Sequence, residues 1–146
     1  MEVSTTRFGR LHAEADDLVL FPAGLLGMQN LRHWLLLFDA CNETVAWLQS
    51  AESDELAFAA VSPRRFAPRF QLRIGRRELQ SMGLESVGDA EVLAIVGQSE
   101  PGLSLNLKAP LLIDLERRLG RQVINRADFP VQFPIDSLRT KLRTVA

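Results

Sequence analysis

Residues 21–27 read Phe21-Pro22-Ala23-Gly24-Leu25-Leu26-Gly27. Proline has no backbone N–H, so a strand that reaches Pro22 cannot continue its ladder of hydrogen bonds. Gly24 and Gly27 can adopt positive φ angles without a steric penalty, which favours a turn. The segment therefore predicts a sharp corner that ends a short apolar strand, Asp17–Phe21, and leaves Phe21 buried.

Short apolar runs continue on both sides of this corner, with turn residues between them. Runs of this kind are typical of strands, and many short strands indicate a sandwich or barrel rather than alternating strands and helices. We expect Asn30 to open a helical turn before the next strand. The other predicted strands are Val3–His12, Trp34–Phe38, Val45–Gln49, Ala57–Ser62, Phe70–Ile74, Glu91–Val96, Ser104–Leu107, Leu111–Leu115 and Arg121–Ile124.

Two short segments have the pattern of helices. Arg76–Met82 is followed by Gly83, which suits the position after a helix C-terminus. Ile135–Leu142 places Leu138 and Leu142 four residues apart, on one face of a helix. The fold class expected from the residues is therefore mostly β, with one or two short helices.

The chain has 146 residues, 47% of them hydrophobic and 24% charged, with a single cysteine. This length and composition predict one globular domain over residues 1–146, with the residues from about 135 onward as a tail or short helix. One cysteine permits no internal disulfide, which suits a reducing compartment. The N-terminus lacks the pattern of a secretory signal, and no apolar run is long enough to cross a bilayer. We therefore expect a cytoplasmic protein.

Charge is sorted along the chain into blocks. Residues 1–60 hold nine acids and three bases, residues 61–77 hold six arginines and no acid, and residues 78–100 hold five acids and no base. The arginines of Arg64–Arg77 alternate with Phe66 and Phe70, and basic residues beside aromatic ones can bind single-stranded RNA. An RNA-binding module is therefore the alternative hypothesis. The competing interpretation is that the phenylalanines belong to the core and the arginines face solvent.

The residues that usually carry catalysis or bind metals are few. His12 and His33 do not have the spacing of metal ligands, and one cysteine cannot build a thiolate zinc site. Cys41 lies beside Glu43, in an acidic context that does not activate a thiol. There is no nucleophile elbow and no phosphate-binding glycine fingerprint. We expect no enzyme activity, no metal site and no cofactor.

Six separated motifs occur in one order. They read Phe8-Gly9-Arg10-Leu11, Leu20–Gly27, Trp47-Leu48-Gln49-Ser50, Leu56-Ala57-Phe58 with Pro63, Leu105–Leu111 and Gly120-Arg121-Gln122-Val123-Ile124. In this order and spacing they resemble the FliW family of flagellar assembly factors, from about Val3 to about Pro134.

This resemblance implies a compact β-barrel-like fold of short antiparallel strands with little helix, and a regulatory role without catalysis. It implies binding to the dimeric translational repressor CsrA, which removes the repressor from flagellin mRNA. It also implies binding to newly made flagellin as a chaperone, in a partner switch that links flagellin synthesis to secretion. Neither a membrane nor a nucleic acid is an expected partner.

The resemblance singles out nine residues as family-motif or partner-binding positions. One interpretation is architectural, with glycine and proline fixing the backbone and Trp47 in the core; the other is direct partner contact. The chain departs from the family pattern at Met28, Ser104 and Asp114, and it is less acidic than many relatives. The nine positions are Phe21, Pro22, Gly24, Gly27, Trp47, Gln49, Asn106, Ala109 and Pro110.

Overall fold

The computed structural model describes residues 1–39, 41–99 and 102–135. These residues form eleven strands and one α-helix, α1 (Arg76–Ser81), with 3-10 turns at Ala15–Asp17, Pro63–Arg65 and Val87–Asp89. The strands are β1 (Glu2–Thr5), β2 (Gly9–His12), β3 (Leu18–Leu20), β4 (His33–Phe38), β5 (Val45–Ser50), β6 (Ala57–Val61), β7 (Glu91–Ser99), β8 (Gly102–Leu105), β9 (Leu111–Asp114), β10 (Leu119–Gln122) and β11 (Phe133–Pro134).

Seven strands close into a barrel. They follow the order β7-β6-β5-β4-β3-β10-β9, and β9 pairs back to β7. β10 meets β3 in parallel at the pair Leu119 and Leu20, while the other pairings around the ring are antiparallel. The second half of β7 leaves the ring and pairs with β8, which in turn pairs with β11. The mostly β, barrel-like fold class is thus confirmed.

Alternation along the strands divides the apolar residues between the inside and the outside of the barrel. Successive residues of β5 show this, because Leu48 belongs to the interior cluster and Trp47 to a cluster on the outer side. All six residues of β5 are buried, so both of its faces are covered. The interior cluster comprises Val19, Phe21, Leu25, Trp34, Leu36, Ala46, Leu48, Leu111 and Ile113.

Three segments cover the outside of the barrel. The β1–β2 hairpin buries Val3 against Leu35 of β4. The chain from 62 to 72 covers the outer side of β5 and β6, with Phe70 buried there. Helix α1 and the residues after it, among them Met82, cover Leu112 of β9.

The predicted strands agree with the observed ones in most places, and α1 confirms the predicted helix. Three local predictions are wrong. Val3–His12 is not one strand but the two strands of a hairpin, β1 and β2, because the chain turns at residues 6–8. Phe70–Ile74 is not a strand, because its backbone bonds to the side chain of Asn125 instead of a neighbouring strand. Asn30 opens no helical turn; its segment bends directly into β4. The helix predicted over Ile135–Leu142 lies outside the described residues from position 136 onward.

Candidate protein-binding surface

Residues 21–27 form the predicted corner at one end of the barrel. The Gly24 N–H donates to the carbonyl of Phe21 over 2.8 Å, and the Met28 N–H donates to the carbonyl of Leu25 over 2.8 Å. Gly24 has φ +66° and Gly27 has φ +82°. A Cβ on Gly24 would lie 2.5 Å from the carbonyl oxygen of Met28. The backbone around Gly24 therefore packs directly against the backbone of Met28 and Gln29.

Phe21 fastens the corner to the barrel interior. Its side chain is fully buried, and its ring lies against Gly120 of β10. A Cβ on Gly120 would come within 2.8 Å of three ring carbons of Phe21, so only glycine fits at that position. The corner is therefore set by packing as well as by its own turn geometry.

The side chain of Gln122 joins the corner to the segment before β9. Its Oε1 accepts the backbone N–H of Leu26 over 2.8 Å, and its Nε2 donates to the carbonyl of Ala109 over 2.9 Å. Asn106 braces the same segment, since its Oδ1 accepts the N–H of Ala109 over 2.9 Å. Ala109 and Pro110 are both buried. The structure thus brings three of the sequence motifs together, Leu20–Gly27, Leu105–Leu111 and Gly120–Ile124. Asn106, Ala109 and Pro110 occupy positions that shape the backbone.

The outward side of this corner is open to solvent. Pro22 and Ala23 are exposed, and the apolar side chain of Leu26 is 52% exposed. Beside them lies a cleft of about 120 Å³, lined by Pro22, Ala23, Ser81, Met82, Leu119, Gly120 and Arg121. We call the exposed residues Pro22, Ala23 and Leu26, together with Ser81 and Arg121 across the cleft, the corner surface.

A fixed guanidinium marks the far side of the corner surface. Arg121 Nη1 donates to Ser81 Oγ over 3.1 Å, and Arg121 Nε lies 3.5 Å from Glu78 Oε1. Both partners belong to α1, so the helix orients this side chain. The corner surface therefore combines exposed apolar atoms with one oriented cation on a backbone that has little freedom, which suits recognition of another protein.

Trp47 and Gln49 lie apart from the corner, on the outer face of β5. Arg7 stacks its guanidinium 4.4 Å from the centre of the Trp47 ring, and Phe8 meets the same ring edge-on at 5.7 Å. Gln49 is fully buried, and its Nε2 donates to the carbonyl of Ser50 over 3.0 Å. Within the described residues, Trp47 Nε1 and Gln49 Oε1 have no hydrogen-bond partner.

The histidines and the cysteine form no reactive cluster. His12 bonds to Glu2 and Glu14 over 3.0 and 2.9 Å, and these bonds, with Glu14 contributing most, raise the pKa of its exposed ring. His33 bonds to Glu52, and Cys41 is exposed. Over residues 1–39, 41–99 and 102–135, no three His, Cys, Asp or Glu side chains converge to hold a metal ion. Over the same residues, every helix is too short or too polar to cross a bilayer.

The structure of the Arg64–Arg77 segment favours the interpretation in which its phenylalanines belong to the core and its arginines face solvent. Phe70 is buried at 4% exposure, and Phe66 is half-buried against the same cluster. Stacking of bases requires exposed aromatic faces. Phe70 offers none, and Phe66 is partly covered. The arginines of Arg64–Arg77 are exposed around these rings.

Two polar residues stabilise this end of the barrel, although the sequence alone does not indicate a role for either side chain. Gln122 shares a strand face with Gly120, and that spacing is the one local sign that its side chain points toward the corner. Asn125 is fully buried and binds the backbone of Arg73 and Gln71 over 3.0 and 2.9 Å. Nothing near Asn125 in the sequence indicates this function, because Arg73 and Gln71 lie more than fifty residues away along the chain.

Comparison with known proteins identifies similar sequences over nearly the whole chain. A family described as "FliW protein" matches residues 2–135. A protein of Bdellovibrio bacteriovorus named "Flagellar assembly factor FliW" is 36% identical over 126 residues, which are 85% of this chain and 72% of that protein. Proteins of the same name from Leptospira interrogans and Natranaerobius thermophilus are 30% and 28% identical, with 86% and 92% of each chain covered.

A solved structure has the same fold. A crystal structure of the flagellar assembly factor FliW superposes with a TM-score of 0.81 and 23% sequence identity, covering 93% of this chain and 99% of the other. The arrangement of the strands described above is therefore shared with a protein whose structure was determined by crystallography.

Proposed function

The chain belongs to the FliW family of flagellar assembly factors, and on that premise we propose that it binds and antagonises the translational repressor CsrA, relieving repression of flagellin mRNA. It also binds flagellin as a chaperone, and the two partners compete for it, so that flagellin synthesis follows secretion. The observation that carries this proposal is the family match over residues 2–135. Because translation takes place in the cytoplasm, the proposal places the protein there.

The corner surface supports a function based on protein contact. Leu26 presents an apolar side chain on a backbone held by Gln122, so little conformational entropy is lost when a partner covers it. Within the described residues, the groups that could supply catalysis are exposed and scattered. A binding function without catalysis fits both observations.

The distribution of charge supports CsrA as a partner. A repressor that binds mRNA must present basic side chains to phosphate groups. Residues 1–60 of this chain hold nine acids and three bases, which is complementary to such a surface. CsrA is a symmetric dimer, and a symmetric dimer offers two equivalent sites, so we expect two copies of this chain for each CsrA dimer.

Isothermal calorimetry with purified CsrA and purified flagellin tests the proposal. We expect binding to each in the micromolar range or tighter, and displacement of CsrA from the complex when flagellin is added. Absence of heat with both proteins at about 100 µM, well above a micromolar Kd, would refute it.

A pair of variants tests the role of the corner surface separately. Leu26→Glu places a charge on this surface, and we expect it to weaken binding to one or both partners. Phe38 is 70% exposed at the opposite end of β4 from the corner, which makes Phe38→Glu the matched control. Equal effects of the two substitutions would show that the corner surface is not a contact, while the proposed function itself would stand.

A further inference from the structure

A second groove is lined by residues other than those of the cleft at the corner. It has a volume of about 410 Å³ and runs between the 62–72 segment and the start of β7. It shares no lining residue with the corner surface. Its lining residues are Ser62, Pro63, Arg64, Phe70, Leu72, Val87, Gly88, Ala90, Glu91 and Val92.

The floor of this groove is apolar and partly open. Phe70 belongs to the cluster outside β5, whereas Val87 belongs to the cluster under α1. Leu72 and Val92 contact both clusters, and they are only half-buried. The groove is therefore the seam between two apolar clusters, and it leaves hydrophobic surface in contact with water.

The two rims of the groove carry opposite charge. Arg64 lies on one rim, where its Nε donates to the carbonyl of Phe70 over 3.2 Å, and this bond fixes the guanidinium at the edge. Glu91 lies on the other rim and is exposed. Within the described residues, neither side chain makes an ion pair.

The charges at the groove come from two differently charged stretches of the sequence. The chain from 61 to 77, which supplies Arg64, has six arginines and no acid; the chain from 78 to 100, which supplies Glu91, has five acids and no base. Of these charged residues, Arg64 and Glu91 line the groove.

We propose that this groove binds an extended segment of a partner polypeptide in which an acidic and a basic side chain flank apolar ones. The acidic side chain pairs with Arg64, the apolar side chains cover Leu72 and Val92, and the basic side chain pairs with Glu91. The volume falls within the range of about 300–1,000 Å³ typical of small-ligand sites, so it holds a few side chains. Charge complementarity at both rims fixes the direction of the segment.

A polypeptide fits these rims better than RNA does. Phosphates would approach Arg64 favourably, but the carboxylate of Glu91, which lines the same groove, would repel them. Phe70 is buried and Phe66 is half-buried against the same cluster, which disfavours stacking of bases on these rings. The inference does not depend on CsrA or flagellin being the partner, and it goes beyond the proposed function in naming a second site.

Peptide titrations followed by NMR test this proposal on the full chain. The probes are capped hexapeptides, Ser-Glu-Val-Leu-Lys-Ser and its reverse, with Ser-Glu-Val-Leu-Glu-Ser and Ser-Lys-Val-Leu-Lys-Ser for comparison. We expect saturable shifts of the Leu72 and Val92 signals with one of the two bipolar peptides below about 1 mM, and weaker shifts with its reverse and with the single-sign peptides.

Charge-reversal variants make the test specific. Arg64→Glu gives the groove two acidic rims, and we expect bipolar binding to weaken about tenfold or more while the dibasic peptide gains. Combining Arg64→Glu with Glu91→Arg restores opposite rims, and bipolar binding should return. Arg77→Glu makes the same change of charge on α1, away from the groove, and serves as the control.

Three results would overturn the inference. The first is that no peptide shifts the Leu72 and Val92 signals at millimolar concentration. The second is that Arg64→Glu and Arg77→Glu weaken binding equally, which would indicate general electrostatic attraction. The third is that single-stranded RNA shifts the same signals more strongly than the peptides, with a steep loss on added salt, which would make the groove a nucleic-acid site.

Discussion

Gln122 accepts a hydrogen bond from the backbone of Leu26, a residue 96 positions earlier in the chain, over 2.8 Å. The same side chain donates to the carbonyl of Ala109, so one amide connects the corner, β10 and the segment before β9. Both of its polar atoms are used. This connection places an exposed leucine on an otherwise constrained backbone.

Gln122→Ala should loosen the corner without unfolding the barrel. A hydrogen bond contributes about 0.5–1.5 kcal/mol, and Leu26 lies at the surface where water can replace the lost acceptor. We therefore expect a loss of about 1 kcal/mol in urea unfolding, with faster amide hydrogen exchange at Leu26. Gln122→Glu keeps an acceptor for the Leu26 N–H but places a carboxylate oxygen where Nε2 donated to Ala109. We therefore expect exchange at Leu26 to lie between that of Gln122→Ala and that of the unmodified chain. Unchanged exchange in Gln122→Ala would contradict the role assigned to this side chain.

Gly120→Ala should destabilise the protein through a clash with Phe21. The added methyl group would come within 2.8 Å of three ring carbons, and the ring is enclosed in the barrel. Overpacking of this kind costs about 1–3 kcal/mol, so we expect a lower denaturation midpoint in urea.

Gly97→Ala is the control for this substitution. Gly97 lies on β7, and an added Cβ would meet Ser104 Oγ at 3.4 Å, which is ordinary contact. We expect its midpoint to stay close to that of the unmodified chain. If both glycine variants lost the same stability, the close approach of Phe21 would not be the cause.

Asn125→Ala should be more damaging than either change at the corner. The buried side chain binds the backbone of Gln71, Arg73, Leu107 and Ala127, so removing it leaves several buried groups without partners. Each unpaired buried group costs about 1–3 kcal/mol. We expect a loss of at least about 3 kcal/mol in urea unfolding, together with chemical-shift changes at Leu72. A loss below about 1 kcal/mol would show that water replaces the amide.

The sequence predicts local elements better than it predicts their partners. The corner and α1 follow from proline and glycine, whose backbone preferences act within a few residues. Phe70–Ile74 has the alternation of a strand, yet its backbone binds Asn125, a side chain 52 positions from Arg73. Local periodicity carries no information about such a partner. The closure of the barrel through Leu119 and Leu20 is hidden for the same reason.

The candidate site shows the same division. Pro22 and Gly24 could be identified because their residue types favour a turn, and Phe21 could be identified as the apolar residue that precedes it. Whether Trp47 contributes to the core or contacts a partner depends on what covers it, and the structure places Phe8 and Arg7 on its ring. The groove that Arg64 and Glu91 both line could not be anticipated from the sequence, because the fold decides which residues of distant segments lie together.

Glu52 should make stability depend on pH in the acid range. Its carboxylate accepts the backbone N–H groups of His33 and Arg32 over 2.7 and 2.8 Å, and these bonds, with that of His33 first, lower its pKa from the usual 4.5. A lowered pKa in the folded state contributes stability above the unfolded value, and this contribution is lost as pH falls through the folded pKa. Because the side chain is 36% exposed, solvent screening keeps the effect below about 1 kcal/mol. Urea unfolding of the unmodified chain and of Glu52→Gln should therefore differ more at about pH 6 than at about pH 3. Glu55→Gln removes an exposed carboxylate from the same turn and should show a smaller change, whereas a pH-independent difference for Glu52→Gln would contradict this role.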